Sequence, residues 1–276
     1  MSGASGPGLA RIEGIFAALR NSNRRALLPF VTAGYPDLKS SFDLLPGLAR
    51  AGGSIIEIGF PFSDPIADGP VIAESMHEAL QKGCSVTEIF SQVKRVRPSV
   101  TAGLVAMVSC SIVERVGPRE FVQQAAQCGI DGLIVPDLPL EESAEIRALC
   151  GEAGMACIML IAPTTAPERA AELARASTGF VYLLARTGIT GVRNDTPDVS
   201  RRVAELRKVT ALPIACGFGI GTPEAVREVT RHAEGAIVGS AIIRHMQSLL
   251  KESASRERLV AETEAFVERL AGGLGS

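Results

Sequence analysis

The run SIIEIG at residues 54–59 and the loop FPFSDPIADGP at residues 60–70 form the unit that organises the chain. The run is short, apolar and β-branched, which is typical of a buried strand, and the loop is rich in Pro, Gly and Asp. Since side chains alternate along a strand, Glu57 lies on one face, while Ile56 and Ile58 lie on the other. The pattern predicts a strand whose isoleucines pack on outer helices and whose glutamate points inward.

Similar apolar runs recur along the chain and alternate with amphipathic stretches of helical period, such as residues 141–150, 198–209 and 223–229. Eight such units, with a short helix before them and an extra helix after the last strand, predict a (β/α)8 TIM barrel. The competing open, doubly wound sheet normally has fewer strands and a G-x-G-x-x-G turn after the first, which is missing here. No linker divides the chain, so we expect one domain over residues 1–276, with residues 1–8 flexible. The predicted strands are 26–32, 54–59, 100–108, 132–136, 155–162, 179–184, 212–216 and 235–238.

The composition excludes several classes of protein. The chain has 276 residues, of which 46% are hydrophobic, and a formal net charge of −2 from 28 basic and 30 acidic side chains. This balance is unlike the basic surface of a nucleic-acid-binding protein, and no apolar run is long enough to span a bilayer. The N-terminal residues lack the pattern of a signal peptide, and none of the six cysteines forms a C-x-x-C pair. We therefore expect a cytoplasmic protein with reduced thiols.

Acidic side chains cluster around the second predicted strand. A glutamate buried among isoleucines is costly unless it is paired or functional, and desolvation should raise the pKa of Glu57 into a range useful for acid–base catalysis. The alternative is a structural glutamate paired with an arginine. Asp64 and Asp68 follow in the loop, either as turn and cap residues or with one of them turned back towards Glu57. The spacing does not decide between these two aspartates.

Two glycine-rich turns follow the last two strands, CGFGIG at residues 216–221 and VGSA at residues 238–241. In TIM barrels, this is where a phosphate group is bound by backbone N–H groups at a helix N-terminus. The GITG turn at residues 188–191 follows the sixth strand and is placed to close over the same anion. The pattern predicts a phosphorylated substrate.

The scarcity of lysine and histidine excludes other chemistries. None of the five lysines follows a predicted strand, so a Schiff-base aldolase would lack its nucleophile. The three histidines lie in helical stretches without metal-ligand spacing, so no metal site is expected. What remains is acid–base chemistry by carboxylates.

These motifs together resemble the alpha subunit of tryptophan synthase over residues 9–270. The fourteen-residue stretch 57–70 is the most specific part of the likeness. The segments that carry it are LPFVTAG (28–34), EIGFPFSDPIADGP (57–70), PDLP (136–139), YLLARTGITG (182–191), GFGI (217–220) and GSA (239–241).

The resemblance implies a lyase that cleaves indole-3-glycerol phosphate to indole and glyceraldehyde 3-phosphate in L-tryptophan biosynthesis. It implies no cofactor on this chain, and a heterotetramer with a beta subunit that carries PLP and contacts Asp64 and the 107–113 loop. Within the family, the catalytic carboxylates correspond to Glu57 and Asp68, which favours Asp68 over Asp64. The substrate contacts correspond to Phe30, Tyr182 and Thr190, and the phosphate ligands to Gly191, Gly219, Gly239 and Ser240.

One segment departs from the family pattern. After the third strand, the family usually has an aromatic residue and an Asn-Pro-type turn, whereas this chain has MVSCSIV at residues 107–113. This segment borders the indole pocket and the partner interface in the family. Two alternatives therefore stay open: a stand-alone lyase that releases indole, and a non-catalytic barrel that activates a partner. A plastid location would replace the cytoplasmic one if the source is a plant.

Overall fold

The computed structural model describes residues 7–65, 69–185, 199–217 and 219–275. Within these ranges, every strand pairing is parallel, as expected for a sheet built from strand–helix units. The strands are β1 (Ala26–Thr32), β2 (Ile55–Gly59), β3 (Gly103–Met107), β4 (Gly132–Ile134), β5 (Ala156–Ile158), β6 (Leu160–Ile161), β7 (Val181–Leu184), β8 (Ile214–Gly217) and β9 (Gly235–Val238).

The sheet closes into the predicted barrel. Its strand order is β5-β4-β3-β2-β1-β9-β8-β7-β6, and the first strand pairs with the last, from Ala26 opposite Gly235 to Pro29 opposite Val238. The two ends of this order, β5 and β6, are consecutive parts of the single strand predicted at 155–162. The nine segments therefore occupy the eight positions of a (β/α)8 barrel, and the chain itself joins the ends of the ladder.

Two hydroxyl side chains interrupt the fifth strand at Met159. The Met159 amide donates to Ser177 Oγ (3.0 Å), and the Cys157 amide donates to Thr178 Oγ1 (2.7 Å). The Met159 carbonyl still accepts from the Tyr182 amide (3.1 Å), so the strand continues after the interruption. Because these donors are satisfied by side chains from the segment before β7, the break leaves them paired.

Helices cover the outside of the barrel, and two of them follow the last strand, as expected. The predicted helices at 141–150, 198–209 and 223–229 correspond to α8 (Ala144–Ala153), α10 (Ser200–Arg207) and α11 (Pro223–Thr230). None of the helices in the described residues has the length and apolar character needed to cross a membrane. The helices are α1 (Pro7–Asn21), α2 (Leu38–Asp43), α3 (Leu45–Arg50), α4 (Pro70–Gln81), α5 (Val86–Val96), α6 (Cys110–Val116), α7 (Pro118–Cys128), α8 (Ala144–Ala153), α9 (Pro167–Ala176), α10 (Ser200–Arg207), α11 (Pro223–Thr230), α12 (Ser240–Lys251) and α13 (Arg256–Ala271).

Helix α1 covers the N-terminal ends of the strands. It begins at Pro7, inside the segment expected to be flexible, and Gly8 is buried against the backbone of Asp131. Ile12 and Phe16 join the cluster that fills the barrel interior, and the Phe16 ring lies 5.7 Å from that of Phe180. The short helix predicted before the first strand therefore closes the lower end of the barrel.

Asp131 holds this lower end together. Its side chain is buried and lies 3.3 Å from Arg11 Nε and 3.4 Å from Arg97 Nη1. Its Oδ2 also accepts from the Leu104 amide at 2.8 Å. The two cations and the backbone donor offset part of the cost of burying this carboxylate, and the cluster joins α1 to the barrel.

Candidate active site

A cavity of about 420 Å³ opens at the C-terminal ends of the strands, where barrel enzymes have their active sites. Its wall is largely apolar, with a few polar groups, which is the usual character of a small-molecule site. Its described lining residues are Phe30, Phe60, Phe62, Asp64, Pro65, Gly69, Ile72, Met76, Met107, Val108, Ser109, Pro136, Asp137, Leu160, Tyr182, Leu184, Gly219, Ile220, Ile237, Gly239 and Ser240.

Glu57 lies in the middle of β2 and points into the barrel, as the alternation predicts. Its strand neighbour two residues earlier, Ile55, belongs to the interior cluster, and Glu57 itself is paired in register with Phe30 and Val105. The side chain is 0% exposed, and neither carboxylate oxygen has a hydrogen-bond partner among the described residues. The alternative of a structural pair with an arginine therefore finds no support in that part of the chain.

Burial raises the pKa of Glu57 well above its usual range. In an apolar barrel interior, the charged form loses its hydration and gains no compensating contact from the described residues. The protonated form is therefore favoured, and a carboxylic acid can donate a proton. Glu57 is not itself among the described lining residues of the cavity, but its register partner Phe30 is. The predicted direction of this pKa shift is confirmed.

Two glycines at strand ends make room for aromatic rings. A Cβ atom on Gly59 would come within 2.6 Å of Phe30 Cε2, and a Cβ atom on Gly217 would come within 2.5 Å of the Tyr182 hydroxyl. Both rings line the cavity, so each ring lies in a space that only glycine leaves open. Phe30 and Tyr182, which the family resemblance marks as substrate contacts, are thus both placed on the cavity wall.

The predicted phosphate-binding turns form another part of the same wall. Gly219, Gly239 and Ser240 all line the cavity. Gly219 has a φ of +78°, a conformation that favours glycine, and Ser240 is the first residue of helix α12. The structure therefore brings together a glycine turn and a helix N-terminus, the combination that binds anions in barrels.

The rim contains two aspartates, one of which had no predicted role. Asp64 lines the cavity and accepts from Ser63 Oγ (2.7 Å). Asp137 also lines it, and its carboxylate accepts from Ser109 Oγ (2.7 Å) and from the Cys110 amide (2.8 Å). Asp137 thereby holds the start of α6, in the segment that departs from the family pattern. Its position just after the fourth predicted strand is the signal that could have identified it.

Three predicted site residues, Asp68, Thr190 and Gly191, lie outside the described residues. Their roles therefore stay predictions. Within the described ranges, no group of three or more His, Cys, Asp or Glu side chains is arranged to bind a metal ion.

Comparisons with known proteins identify many relatives of one kind. A family profile described as "Tryptophan synthase alpha chain" matches residues 16–272. The tryptophan synthase alpha chain of Gloeobacter violaceus is 41% identical over 261 residues, which cover 94% of this chain and 92% of the relative. That of Geobacter sulfurreducens is 39% identical and covers 97% of this chain and 100% of the relative.

Solved structures agree with this result. A chain of tryptophan synthase from Mycobacterium tuberculosis superposes with a TM-score of 0.86 at 32% identity, covering 96% of this chain and 98% of that one. Tryptophan synthase subunit alpha from Legionella pneumophila superposes with a TM-score of 0.87 at 28% identity, over 96% and 98% of the two chains. The likeness extends over nearly the full length of each protein.

Proposed function

Because the chain belongs to the tryptophan synthase alpha chain family, whose members cleave indole-3-glycerol phosphate to indole and glyceraldehyde 3-phosphate, we propose that Glu57 and Asp68 carry out this cleavage here. The enzyme is a lyase of L-tryptophan biosynthesis. The observation that carries the residue assignment is the buried carboxylate of Glu57, which has no hydrogen-bond partner among the described residues and lies on β2 in register with Phe30, a residue that lines the cavity.

The substrate binds with its two ends in different surroundings. Its apolar indole ring occupies the part of the cavity lined by Phe30, Met107 and Tyr182. Its phosphate binds at the turn formed by Gly219, Gly239 and Ser240. The family resemblance adds Gly191 to the phosphate ligands and Thr190 to the substrate contacts. This orientation places the carbon–carbon bond to be broken between the two ends, within the barrel mouth.

The reaction begins with proton transfer to the indole ring. Glu57 in its protonated form donates a proton to the ring carbon that bears the glycerol phosphate chain, which leaves a positive charge shared with the ring nitrogen. Asp68 accepts a hydrogen bond from the ring N–H and stabilises this charge. The substrate's own ring therefore accepts the electrons for which other aldolases use a lysine or a metal ion.

Bond cleavage follows when the adjacent hydroxyl loses its proton. The ionised Glu57 is the base that accepts it, so the residue ends the cycle in its initial protonated form. The hydroxyl oxygen forms the aldehyde carbonyl, and the electrons of the broken carbon–carbon bond restore the aromatic ring of indole. Atoms and charges balance without a co-reactant.

We also propose the partner that the family resemblance implies. A beta subunit carrying PLP would consume the indole. The two kinds of subunit would form an α2β2 heterotetramer, in which the beta subunit contacts this chain near Asp64 and the 107–113 loop. Both regions lie on the cavity rim, and Asp137 fixes the second of them through Ser109 and Cys110. The bacterial relatives favour a cytoplasmic location over a plastid.

An indole-release assay on indole-3-glycerol phosphate, with and without a beta subunit, tests this proposal. We expect indole and glyceraldehyde 3-phosphate in equal amounts, with a faster rate when the beta subunit is present. A high rate that the beta subunit does not change would favour the stand-alone lyase. Absence of cleavage in both conditions would contradict the assignment and favour the non-catalytic barrel.

A further inference from the structure

Two neighbouring residues at the end of β1 are bonded to the chain on both sides of one loop. The loop is the segment 60–69, which contains Asp68. Just before it, the Gly59 carbonyl at the end of β2 accepts from the Ala33 amide (2.9 Å). Just after it, Ser75 Oγ on α4 lies 2.7 Å from the Thr32 hydroxyl. The end of β1 therefore ties down both flanks of the loop.

The pair of hydroxyl groups has a defined direction. Ser75 Oγ donates to the Ile72 carbonyl (2.7 Å), and a carbonyl can only accept. Because this uses the single hydroxyl proton of Ser75, Thr32 is the donor in the bond between the two hydroxyls. The result is a chain of hydrogen bonds from Thr32 through Ser75 to Ile72, in which each bond polarises the next. It ends on the first turn of α4, at a residue that lines the cavity.

Both hydroxyl side chains are fully buried. Thr32 and Ser75 are each 0% exposed, so bulk water does not compete for the bond between them. A buried hydroxyl that loses its partner still bears the cost of desolvation. The bond therefore favours one position of α4 relative to the end of β1.

The end of β1 is itself held in register with the strand that carries Glu57. Thr32 lies opposite Gly59, two residues beyond Glu57 on β2. A shift of α4 would therefore displace the start of the helix, and the loop that leads into it, while Glu57 stays fixed in the sheet. When two groups act on one substrate, a displacement of about 1 Å can reduce the rate roughly 100-fold.

We infer that Thr32 is a positioning residue, whose hydroxyl acts through Ser75 to hold the start of α4, and with it the loop that carries Asp68, in a fixed position relative to Glu57. The inference rests on the proposed function, because it assumes that both carboxylates act on the substrate. Thr32 has no contact with the reacting atoms in this assignment. Its loss should therefore reduce the rate of the chemical step more than the affinity for substrate.

The test compares Thr32→Val with Thr263→Val, which makes the same change at another buried threonine. Thr263 is also 0% exposed, and its hydroxyl donates to the Leu259 carbonyl (2.7 Å) within α13, a helix that adds no residue to the described cavity wall. For indole-3-glycerol phosphate, we expect the kcat of Thr32→Val to fall roughly tenfold, with KM changed less than about twofold. Thr263→Val should lower the thermal unfolding midpoint to a similar extent but keep kcat close to that of the unsubstituted protein.

Two further variants separate the hydroxyl from the rest of the side chain. Thr32→Ser keeps the hydroxyl and should restore most of the kcat that Thr32→Val loses. Thr32→Val combined with Ser75→Ala should lose no more than the larger of the two single losses, because both changes break the same link.

Three outcomes would overturn the inference. Equal kcat values for Thr32→Val and Thr263→Val would show a structural role only. A Thr32→Ser protein as slow as Thr32→Val would show that the methyl group matters instead of the hydroxyl. Losses that multiply when Thr32→Val and Ser75→Ala are combined would show that the two residues act independently.

A measurement that does not depend on activity separates this inference from the proposed function. If the unsubstituted protein releases no indole, the proposed function fails, and hydrogen–deuterium exchange of residues 69–75 decides whether the link holds α4. Faster exchange there in Thr32→Val than in Thr263→Val would support the link, while equal exchange would contradict it.

Discussion

Glu57 and Asp131 are two carboxylates buried within the same barrel, 0% and 4% exposed, but their surroundings differ. Burial raises the pKa of both groups. At the lower end, Arg11, Arg97 and the Leu104 amide compensate Asp131 and oppose that rise. At the upper end, where the strands reach the cavity, neither carboxylate oxygen of Glu57 has a hydrogen-bond partner among the described residues. The difference separates a carboxylate that stabilises the fold from one that is available for chemistry.

The largest effect that would test this contrast is on catalysis at the upper end. Glu57→Gln keeps the size of the side chain but removes the proton that it donates. We expect the rate of indole release to fall by roughly 100-fold or more, the usual contribution of a general acid–base group. The thermal unfolding midpoint should not decrease, because no described residue depends on this carboxylate for a hydrogen bond. A fully active Glu57→Gln protein would refute the assignment.

The corresponding change at the lower end should affect stability. Asp131→Ala leaves Arg97 partly buried without its carboxylate, and we expect a loss of about 3–5 kcal/mol in the free energy of unfolding. Urea denaturation measures this loss. As a control, Asp43→Ala removes the exposed ion pair with Arg95 and should cost no more than about 1 kcal/mol. At temperatures where Asp131→Ala stays folded, its kcat should remain close to that of the unsubstituted protein.

A smaller change would test the shape of the upper end. Gly59→Ala introduces a Cβ that meets the Phe30 ring, so the ring must move into the cavity or the strand must shift. Overpacking of this kind costs about 1–3 kcal/mol, and we expect a reduced kcat/KM together with a lower unfolding midpoint. Gly14→Ala in α1 is the matched control, since its Cβ would meet no atom within 4 Å. A cavity that tolerates Gly59→Ala with full activity would contradict the proposed contact between Phe30 and substrate.

The smallest effect concerns the pH dependence of stability. The folded-state pKa of Glu57 is raised above its unfolded value of 4.5. Below pH 4.5 the side chain is protonated in both states, so the free energy of unfolding is at its full value. Above that pH the unfolded state ionises first, so the free energy of unfolding falls as the pH rises towards the folded pKa. Glu57→Gln cannot ionise, so its free energy of unfolding should match that of the unsubstituted protein near about pH 4 and exceed it near about pH 8. Denaturation at both pH values measures the difference. A constant difference between them would mean that Glu57 is compensated in solution.

The sequence predicts much of the upper end and little of the lower one. Period-2 alternation in residues 54–59 is a local signal, and it correctly places Glu57 inside and Ile56 and Ile58 outside. Asp131 gives no comparable signal, because its partners Arg11 and Arg97 come from distant segments that only the folded chain brings together.

The strand boundaries show the same limitation. The run at 155–162 is uniformly apolar, so it predicts one continuous strand. The interruption at Met159 arises from Ser177 and Thr178, about twenty residues later, whose hydroxyls accept from the strand's amides. No pattern within 155–162 encodes hydrogen bonds supplied by another segment. The roles of Asp68, Thr190 and Gly191 likewise depend on the family resemblance alone.

The pairing of β1 with β9 has a consequence for synthesis of the chain on the ribosome. Residues 26–29 of β1 can pair with β9 only after residues 235–238 have emerged from the ribosome. Until then, β1 and β8 each present an edge with unpaired backbone groups, the kind of edge that binds other strands. Premature termination before residue 235 would therefore leave a nascent chain prone to aggregation, whereas the complete chain has its first and last strands joined.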